Sequence, residues 1–246
     1  MTPGSAASPL LLCDLDDTLI DRRGALRRWA ESFAAHHGLA AEAVAWLQAA
    51  DGDGSVDRRT FLREARRRLG LRPSVEMLVA AFAESLPSHV LPPPAEALAA
   101  IGRLKAAGWR VGLITNGPPF QMAKMRRAGL LDLLDGWCIS EVDGLSKPDA
   151  AIFRLAAERC GTDLRAAWMV GDSGPADVGG AIAAGLPSVW IRLGRAWSEA
   201  AYRPTLEADS LAEAIDRIET HLTADPPALI GSANRLDGRS GQDSSS

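Results

Sequence analysis

Short apolar runs that stop at polar residues recur along the chain. The clearest are residues 9–13, 109–115, 166–170 and 186–191, and a weaker run covers 136–140. Continuous apolar runs of this length are typical of strands that are covered on both faces, as in a parallel sheet. The pattern therefore predicts five buried strands.

Helical patterns lie between these runs. The stretches 120–128 and 149–160 are each followed by a glycine, which commonly ends a helix. Further helices are predicted at 94–107 and 175–184. Strands that alternate with helices form βαβ units, and these produce a parallel sheet with helices on both faces. The predicted fold class is α/β, with a Rossmann-like parallel sheet core.

The segment 21–90 breaks this alternation, because it contains helical patterns and no convincing strand. Its four helices are predicted near residues 24–37, 41–50, 57–69 and 74–86. We interpret this segment as an inserted α-helical bundle, called the cap below, and residues 8–20 and 91–222 as the core domain. The run 51–55 (DGDGS) is interpreted as a turn between cap helices. Residues 223–246 are rich in Gly, Ser, Asp and Pro, and they are predicted to be a disordered tail.

Composition and charge narrow the function classes. The 246-residue chain is 47% hydrophobic and 24% charged, as is usual for a globular protein, and its net charge of −4 argues against nucleic acid as the main partner. It contains three cysteines without metal-ligand spacing, no secretion signal and no apolar stretch of membrane-spanning length. These features predict a cytoplasmic protein with reduced thiols and no membrane partner. Whether it is a monomer or a homodimer stays open.

Polar residues follow the predicted strands at one edge of the predicted sheet. They are Asp14 and Asp16 after the first strand, Thr115 and Asn116 after the second, Lys147 at the start of the third core helix, and Asp172 with Asp177 after residues 166–170. Ligands of open parallel sheets bind beyond the carboxyl ends of the strands. The sequence therefore predicts that these side chains share one site.

The residue types suit phosphoryl transfer. A carboxylate such as Asp14 can attack phosphorus and form an acyl phosphate, and Asp16 can protonate the leaving group. Because an anion attacks an anion, a hard cation such as Mg²⁺ is needed, with Asp14, Asp172 and the backbone carbonyl of Asp16 as ligands. Lys147 and Thr115 can hold the remaining phosphate oxygens.

Four sequence motifs resemble those of the haloacid dehalogenase-like (HAD) superfamily, in the same order. They are DLDDTL at 14–19, LITNG at 113–117, SKPD at 146–149 and GDSGPADVGGA at 171–181. The resemblance extends over about residues 8–222, and the inserted helices resemble a C1-type cap.

The resemblance implies a role for each matching residue. Asp14 would be the nucleophile, Asp16 the acid and base, Thr115 a phosphate ligand and Lys147 the residue that stabilises negative charge. Asp172 would be a metal ligand, and Asp177 would bind the metal or support a ligand from behind. Asn116 is a candidate to bind phosphate or to brace its loop. The implied enzyme is a Mg²⁺-dependent phosphatase acting on a small phosphorylated metabolite.

Substrate recognition is predicted to come from the cap, with Arg22, Arg23, Trp29 and Arg58 as candidates for the cleft wall. Three other functions stay open: a sugar-phosphate phosphomutase, a haloacid-type dehalogenase and a catalytically inert regulatory protein on the same fold. Dehalogenation releases halide, which needs neither a proton nor a metal. The presence of Asp16 and of the Asp172/Asp177 pair therefore favours the phosphatase over the dehalogenase.

Overall fold

The computed structural model describes residues 7–224, and its strands form one sheet. The strands are β1 (Leu10–Cys13), β2 (Arg110–Thr115), β3 (Gly136–Ile139), β4 (Ala167–Gly171), β5 (Ser188–Ile191) and β6 (Leu206–Ala208). All neighbouring pairs are parallel, and their order is β3-β2-β1-β4-β5-β6. The predicted fold class is confirmed. Because the strand order reverses at β1, the crevice beyond the carboxyl ends of β1 and its neighbours is where a ligand would bind.

Helices cover both faces of this sheet and also form the cap. They are α1 (Arg22–His36), α2 (Glu42–Asp51), α3 (Arg58–Leu69), α4 (Val75–Ser85), α5 (Ala95–Ala106), α6 (Gln121–Arg127), α7 (Ser140–Asp143), α8 (Ala150–Arg159), α9 (Gly179–Ala184) and α10 (Leu211–Ala224). Side chains of β1 alternate between the two faces. Leu11 packs in a cluster with Ile101 of α5 and Ile215 of α10, and Leu12 packs in a cluster with Phe153 of α8. A strand buried on both sides must be apolar throughout, as β1 is.

The cap helices enclose an apolar cluster of their own. Trp29, Phe61, Leu62 and Phe82 lie in this cluster, and Phe120 from the loop before α6 packs against it. Capping residues explain where the helices begin: the side chains of Asp21, Asp57 and Ser74 accept hydrogen bonds from backbone N–H groups in the first turns of α1, α3 and α4. The predicted cap helices differ from the observed ones by only a few residues at their ends.

Three features of the core were not predicted. Strand β6 has three residues and lies at the sheet edge, so its apolar pattern is too short to identify. Helix α10 does carry a signal, since Leu211, Ala214, Ile215 and Ile218 are buried at helical spacing. It includes residues 223 and 224, which the sequence pattern assigns to the tail, and the rest of the predicted tail lies outside the described residues. The helix predicted at 175–184 begins as a π-helical turn at Gly174–Val178 and continues as α9.

The cysteines are reduced, and the described helices are not of membrane-spanning type. None of the helices within residues 7–224 has the length and apolar character needed to cross a membrane. Cys13, Cys138 and Cys160 are buried free thiols. Burial raises the pKa of Cys138 and Cys160 to about 11, so both thiols are protonated at neutral pH.

Two helical glycines test how closely the core packs. A Cβ atom on Gly180 of α9 would lie 2.7 Å from a ring carbon of Phe153 and 3.1 Å from the Cα atom of Pro148, whereas one on Gly102 of α5 would meet no atom within 4 Å. We expect Gly180→Ala to lower the free energy of unfolding by about 1–3 kcal/mol through overpacking. Gly102→Ala should raise it by roughly 0.5–1 kcal/mol, since alanine favours helix more than glycine does.

Urea denaturation of both variants, followed by circular dichroism, measures these changes. Equal stabilisation by the two alanines would contradict the close approach of α9 to α8.

Candidate active site

A cleft of about 530 Å³ lies beyond the carboxyl ends of β1, β2 and β4. The predicted core residues Asp14, Asp16, Thr115, Asn116, Lys147, Asp172 and Asp177 all line it. They come from four separate loops, and the parallel sheet brings these loops to the same edge. The structure therefore places the seven predicted core residues together.

A buried lysine connects two carboxylates at the floor of the cleft. Lys147 Nζ donates to Asp14 Oδ1 at 2.5 Å and to Asp177 Oδ1 at 2.6 Å, and all three side chains are buried. Burial disfavours the Lys147 ammonium, but the two carboxylates outweigh this effect and raise the pKa of Lys147. Burial raises the pKa of Asp14 well above its usual value, although Lys147 acts against this shift. The ammonium is thus a fixed positive charge next to the predicted nucleophile.

Three carboxylates form the candidate metal site. Oxygen atoms of Asp14, Asp172 and Asp177 lie within 4.8 Å of one another. Burial, together with the charge of Asp177, raises the pKa of Asp172 to about 6. The Lys147 ammonium and the Arg195 guanidinium, which lies 2.9 Å from Asp172 Oδ2, oppose three clustered carboxylates. The remaining negative charge fits a divalent cation with oxygen ligands. The side chain of Asp16 is not part of this cluster, and the ligand predicted from this residue is its backbone carbonyl.

The local backbone fixes Asp177 in place. Its Oδ2 atom accepts a hydrogen bond of 2.8 Å from the backbone N–H of Ser173. A Cβ atom on Gly171 would lie 2.1 Å from Asp177 Oδ2, so only glycine allows the carboxylate to approach the end of β4 so closely. Ser173 also accepts from the N–H of Ala176 through its hydroxyl and so caps the π-helical turn that carries Asp177.

Asp16 is held by two residues of α6 that the sequence analysis missed. Lys124 Nζ lies 2.8 and 2.7 Å from the two carboxylate oxygens, and Gln121 Nε2 donates to Oδ2 at 3.0 Å. Burial would raise the pKa of Asp16, but Lys124, with Arg22 next in effect, holds it below its usual value. Gln121 also donates to Thr115 Oγ1 at 2.7 Å. The only sequence signal was the i, i+3 spacing of the two side chains on one face of a helix.

Asn116 braces the loop that carries Lys147. Its Nδ2 atom donates to the backbone carbonyl of Lys147 at 2.8 Å, and its Oδ1 atom accepts from the N–H of Lys147 at 2.9 Å. Both polar atoms of the side-chain amide are therefore hydrogen-bonded to the backbone of Lys147. Of the two roles considered for Asn116, this geometry favours bracing over phosphate binding.

A loop after β5 forms one wall of the cleft, and it was also missed. Arg195 Nη2 donates to Asp172 Oδ2 at 2.9 Å. The indole N–H of Trp190, within β5 itself, donates to the backbone carbonyl of Asp172 at 2.9 Å. Trp197 and Glu199 line the same side of the cleft. No motif marks these residues in the sequence, since the loop is irregular and its position depends on the fold.

The four cap candidates have different positions. Arg22 lines the cleft. Arg58 is not among the lining residues, and its guanidinium lies over the rings of Phe82 and Phe120. The prediction that Trp29 lines the substrate pocket is wrong: the indole is 3% exposed and belongs to the apolar cluster of the cap. The prediction for Arg23 is also wrong, because this residue lines a neighbouring groove.

The partners of Arg23 explain its position. Its side chain forms ion pairs with Asp17 and Asp53, at 3.5 and 3.1 Å. Two acids near the surface thus hold the guanidinium beside the cleft and not within it.

Comparison with known proteins gives a consistent result. The chain is 35% identical over 158 residues to a phosphoserine phosphatase of Thermus thermophilus, covering 63% of each chain. It spans less than two thirds of the length of the curated relatives it first matches. Its structure resembles that of the putative HAD-hydrolase YfnB from Bacillus subtilis bound to magnesium, with a TM-score of 0.72, 21% identity and coverage of 88% of this chain and 99% of that one. A 2-haloacid dehalogenase from Pseudomonas syringae matches with a TM-score of 0.59, 26% identity and coverage of 87% and 99%.

The family assignment depends on a more extensive match. Residues 9–185 of the 246 match the haloacid dehalogenase-like hydrolase family, and this region contains all seven core residues of the cleft. Since the match covers well over half of the chain, the chain belongs to the haloacid dehalogenase-like hydrolase family.

Proposed function

We propose that this chain is a Mg²⁺-dependent phosphatase that hydrolyses a small phosphorylated metabolite through an aspartyl-phosphate on Asp14. The observation that carries the proposal is the buried contact of Lys147 with Asp14 and Asp177, beside Asp172, while Asp16 is held apart from this group. One cleft thus contains a nucleophile, a fixed cation, a cluster of metal-binding type and a separate acid. The phosphoserine phosphatase among the relatives supports the same reaction class.

Asp14 is the proposed nucleophile because it lies at the end of the central strand with an ammonium at 2.5 Å. One carboxylate oxygen attacks phosphorus, the bond from phosphorus to the ester oxygen breaks, and Asp14 becomes an acyl phosphate. Lys147 stabilises the negative charge that builds on the phosphoryl oxygens. Water then attacks the acyl phosphate and releases inorganic phosphate.

Asp16 is the proposed proton donor and acceptor. It protonates the leaving alkoxide in the first step and takes a proton from water in the second. With Lys124 bound to both of its oxygens, Asp16 is a carboxylate, which is the form that acts as a base. To act as an acid in the first step, Asp16 must take up a proton from solvent, which requires the contact with Lys124 to loosen when the substrate enters.

The acidic cluster fits Mg²⁺, with Asp14, Asp172 and Asp177 as side-chain candidates to hold it and the backbone carbonyl of Asp16 as a further one. When bound, the ion would supply the positive charge that allows a carboxylate to approach a phosphate dianion. A haloacid dehalogenase releases halide and needs neither this cluster nor a proton from Asp16. The site chemistry therefore favours the phosphatase, although a dehalogenase is among the similar structures.

Hydrolysis of p-nitrophenyl phosphate in the presence of Mg²⁺ tests the proposal directly. We expect release of p-nitrophenol and of an equal amount of inorganic phosphate. If neither this ester nor a broad panel of phosphorylated metabolites is hydrolysed, the proposed function is wrong.

Asp14→Asn should reduce turnover to below about one percent of the wild-type rate, because an amide cannot form the acyl phosphate. The fold should persist, since asparagine has nearly the same shape. Asp132→Asn, at an exposed position outside the cleft, is the matched control and should retain the wild-type rate. Phosphate release measures activity, and mass spectrometry excludes deamidation back to aspartate. Substantial turnover by the verified Asp14→Asn variant would rule out Asp14 as the nucleophile.

Treatment with EDTA should abolish activity, and Mg²⁺ should restore it, because the acidic cluster alone repels a phosphate dianion. Mg²⁺ should also raise the melting temperature of the protein, since a ligand that binds only the folded state stabilises it. Asp172→Asn should weaken this thermal shift. Full activity in metal-free buffer, or a melting temperature that Mg²⁺ does not change, would contradict the metal assignment.

Lys147→Ala should depress kcat for every phosphomonoester by about a hundredfold or more, because it removes charge stabilisation shared by all the transition states. Circular dichroism must show that the variant folds, since the change leaves Asp14 and Asp177 buried without their cation. A loss confined to some substrates would mean that Lys147 binds the leaving group instead.

A further inference from the structure

Arg22 presents an unsatisfied hydrogen-bond donor at the cleft. It is the first residue of α1, it is 8% exposed, and it lines the cleft. Its Nη2 atom donates to both carboxylate oxygens of Asp51 at 2.8 Å, whereas its buried Nη1 atom has no hydrogen-bond partner within residues 7–224. Buried donors are nearly always paired, so this group is available to an acceptor that a ligand in the cleft would supply.

Arg58 is a second cation on the same side, and it has no carboxylate partner among the described residues. Its guanidinium lies 4.8 Å from the ring centre of Phe82 in the cap and 4.4 Å from that of Phe120 in the core. Burial lowers the pKa of Arg58, and the positive charge of Arg22 acts in the same direction. The ring of Phe120 also lies 5.4 Å from Lys124 Nζ, which binds Asp16 in the cleft, so the Arg58 guanidinium lies beside the cleft.

The balance of charge differs between the two sides of the cleft. On the phosphate side, Lys147, Lys124 and Arg195 each contact at least one carboxylate. On the cap side, two guanidinium groups have Asp51 as their only contacting carboxylate within the described residues. Asp53 lines the same side of the cleft, but its charge is balanced by Arg23 at 3.1 Å. Arg22 and Arg58 together therefore carry more positive charge than Asp51 balances.

The cap also holds Arg22 rigidly. The backbone of Gly54, with φ of +82°, lies so close that a Cβ atom there would be 2.8 Å from the guanidinium carbon of Arg22. Asp51 additionally accepts from the N–H of Gly54, which closes the turn around the arginine. A donor held in place before the ligand arrives loses little entropy on binding.

We propose that Arg22 and Arg58 form a second anion site, and that the physiological substrate is a phosphomonoester whose leaving group carries a further carboxylate or phosphate. This inference rests on the proposed phosphatase function, because it assumes that the transferring phosphoryl group lies beside Asp14 and Lys147. It adds a substrate class, a phosphomonoester with a second anionic group, and names the two residues that would select it.

Pairs of esters that differ only in the second anion test the proposal. We compare 3-phosphoglycerate with glycerol 3-phosphate for the carboxylate, and fructose 1,6-bisphosphate with fructose 6-phosphate for the second phosphate. A hydrogen bond to a charged group changes binding by about tenfold to a hundredfold. We therefore expect kcat/KM to favour the doubly anionic member of at least one pair by about tenfold or more, and the preferred pair identifies the anion.

Arg58→Gln is the decisive variant, since it leaves no carboxylate without a partner. The ratio of kcat/KM between the preferred ester and its counterpart without the second anionic group should fall by about tenfold. Arg63→Gln, on the exposed side of the same helix, is the control and should leave this ratio unchanged. The double change Arg22→Gln with Asp51→Asn removes both members of the buried ion pair and should lower the ratio as well.

Failure of this proposal can be distinguished from failure of the proposed function. If p-nitrophenyl phosphate is hydrolysed but neither pair shows a preference, or Arg58→Gln leaves the ratio unchanged, the second anion site is wrong. If Arg58→Gln lowers kcat/KM equally for both members of a pair, Arg58 acts on the transferring phosphoryl group, and the proposal of a second anion site is also wrong. If no ester is hydrolysed, calorimetry measures the binding of the same pairs to the wild-type protein and to Arg58→Gln. The ratio of the two dissociation constants within a pair then tests the anion site.

Discussion

The arrangement of the cleft depends on the contact of Lys147 with Asp14 and Asp177. Removing three charges from water is costly, and close, well-directed hydrogen bonds are needed to offset this cost. The three residues come from the end of β1, the loop before α8 and the turn after β4, so these contacts require the three backbones to be held in fixed positions relative to one another. Two local devices do this: Asn116 binds the backbone of Lys147 on both sides, and the N–H of Ser173 holds the second oxygen of Asp177. The same arrangement leaves the acidic cluster with more negative than positive charge, and such an imbalance would favour a divalent cation.

The sheet supplies the rigid frame on which this arrangement depends. Strand β1 is hydrogen-bonded on both sides, to β2 and β4, and its side chains are fully buried, so Asp14 directly follows a well-anchored strand. Close approach of neighbouring elements then requires small residues at particular points. Gly171 makes room for the carboxylate of Asp177, and Gly180 lets α9 pack against Phe153 and Pro148, directly after Lys147. The packing of the core and the placement of the charged groups therefore depend on the same close contacts between neighbouring elements.

The sequence predicted the fold and the core of the site because both follow from local patterns. Apolar runs identify parallel strands, and parallel strands bring the residues after their carboxyl ends to one edge, so Asp14 and Asp172 could be placed together without a structure. The same reasoning could not place Lys124, Gln121 and Arg195, because their contacts depend on the direction in which a helix or an irregular loop leaves the sheet. The error over Trp29 has a similar cause. Arg22 and Trp29 share one face of α1, but seven residues of helix separate them by about 10 Å along the axis, so only the first reaches the cleft.

The cleft is lined from two sides, by the cap and by the loop after β5, whereas the sequence analysis named only cap residues for substrate recognition. The cap contributes Arg22 and the turn around Gly54, while the loop after β5 contributes Trp197 and Glu199. Arg58 lies where cap and core meet, with its guanidinium over one ring from each. An anion that reaches this arginine would therefore contact a group whose position depends on the placement of the cap over the core. Because cap closure excludes water and strengthens the electrostatic interactions at the phosphoryl group, binding of the leaving group and stabilisation of the transition state would be coupled through the same contact.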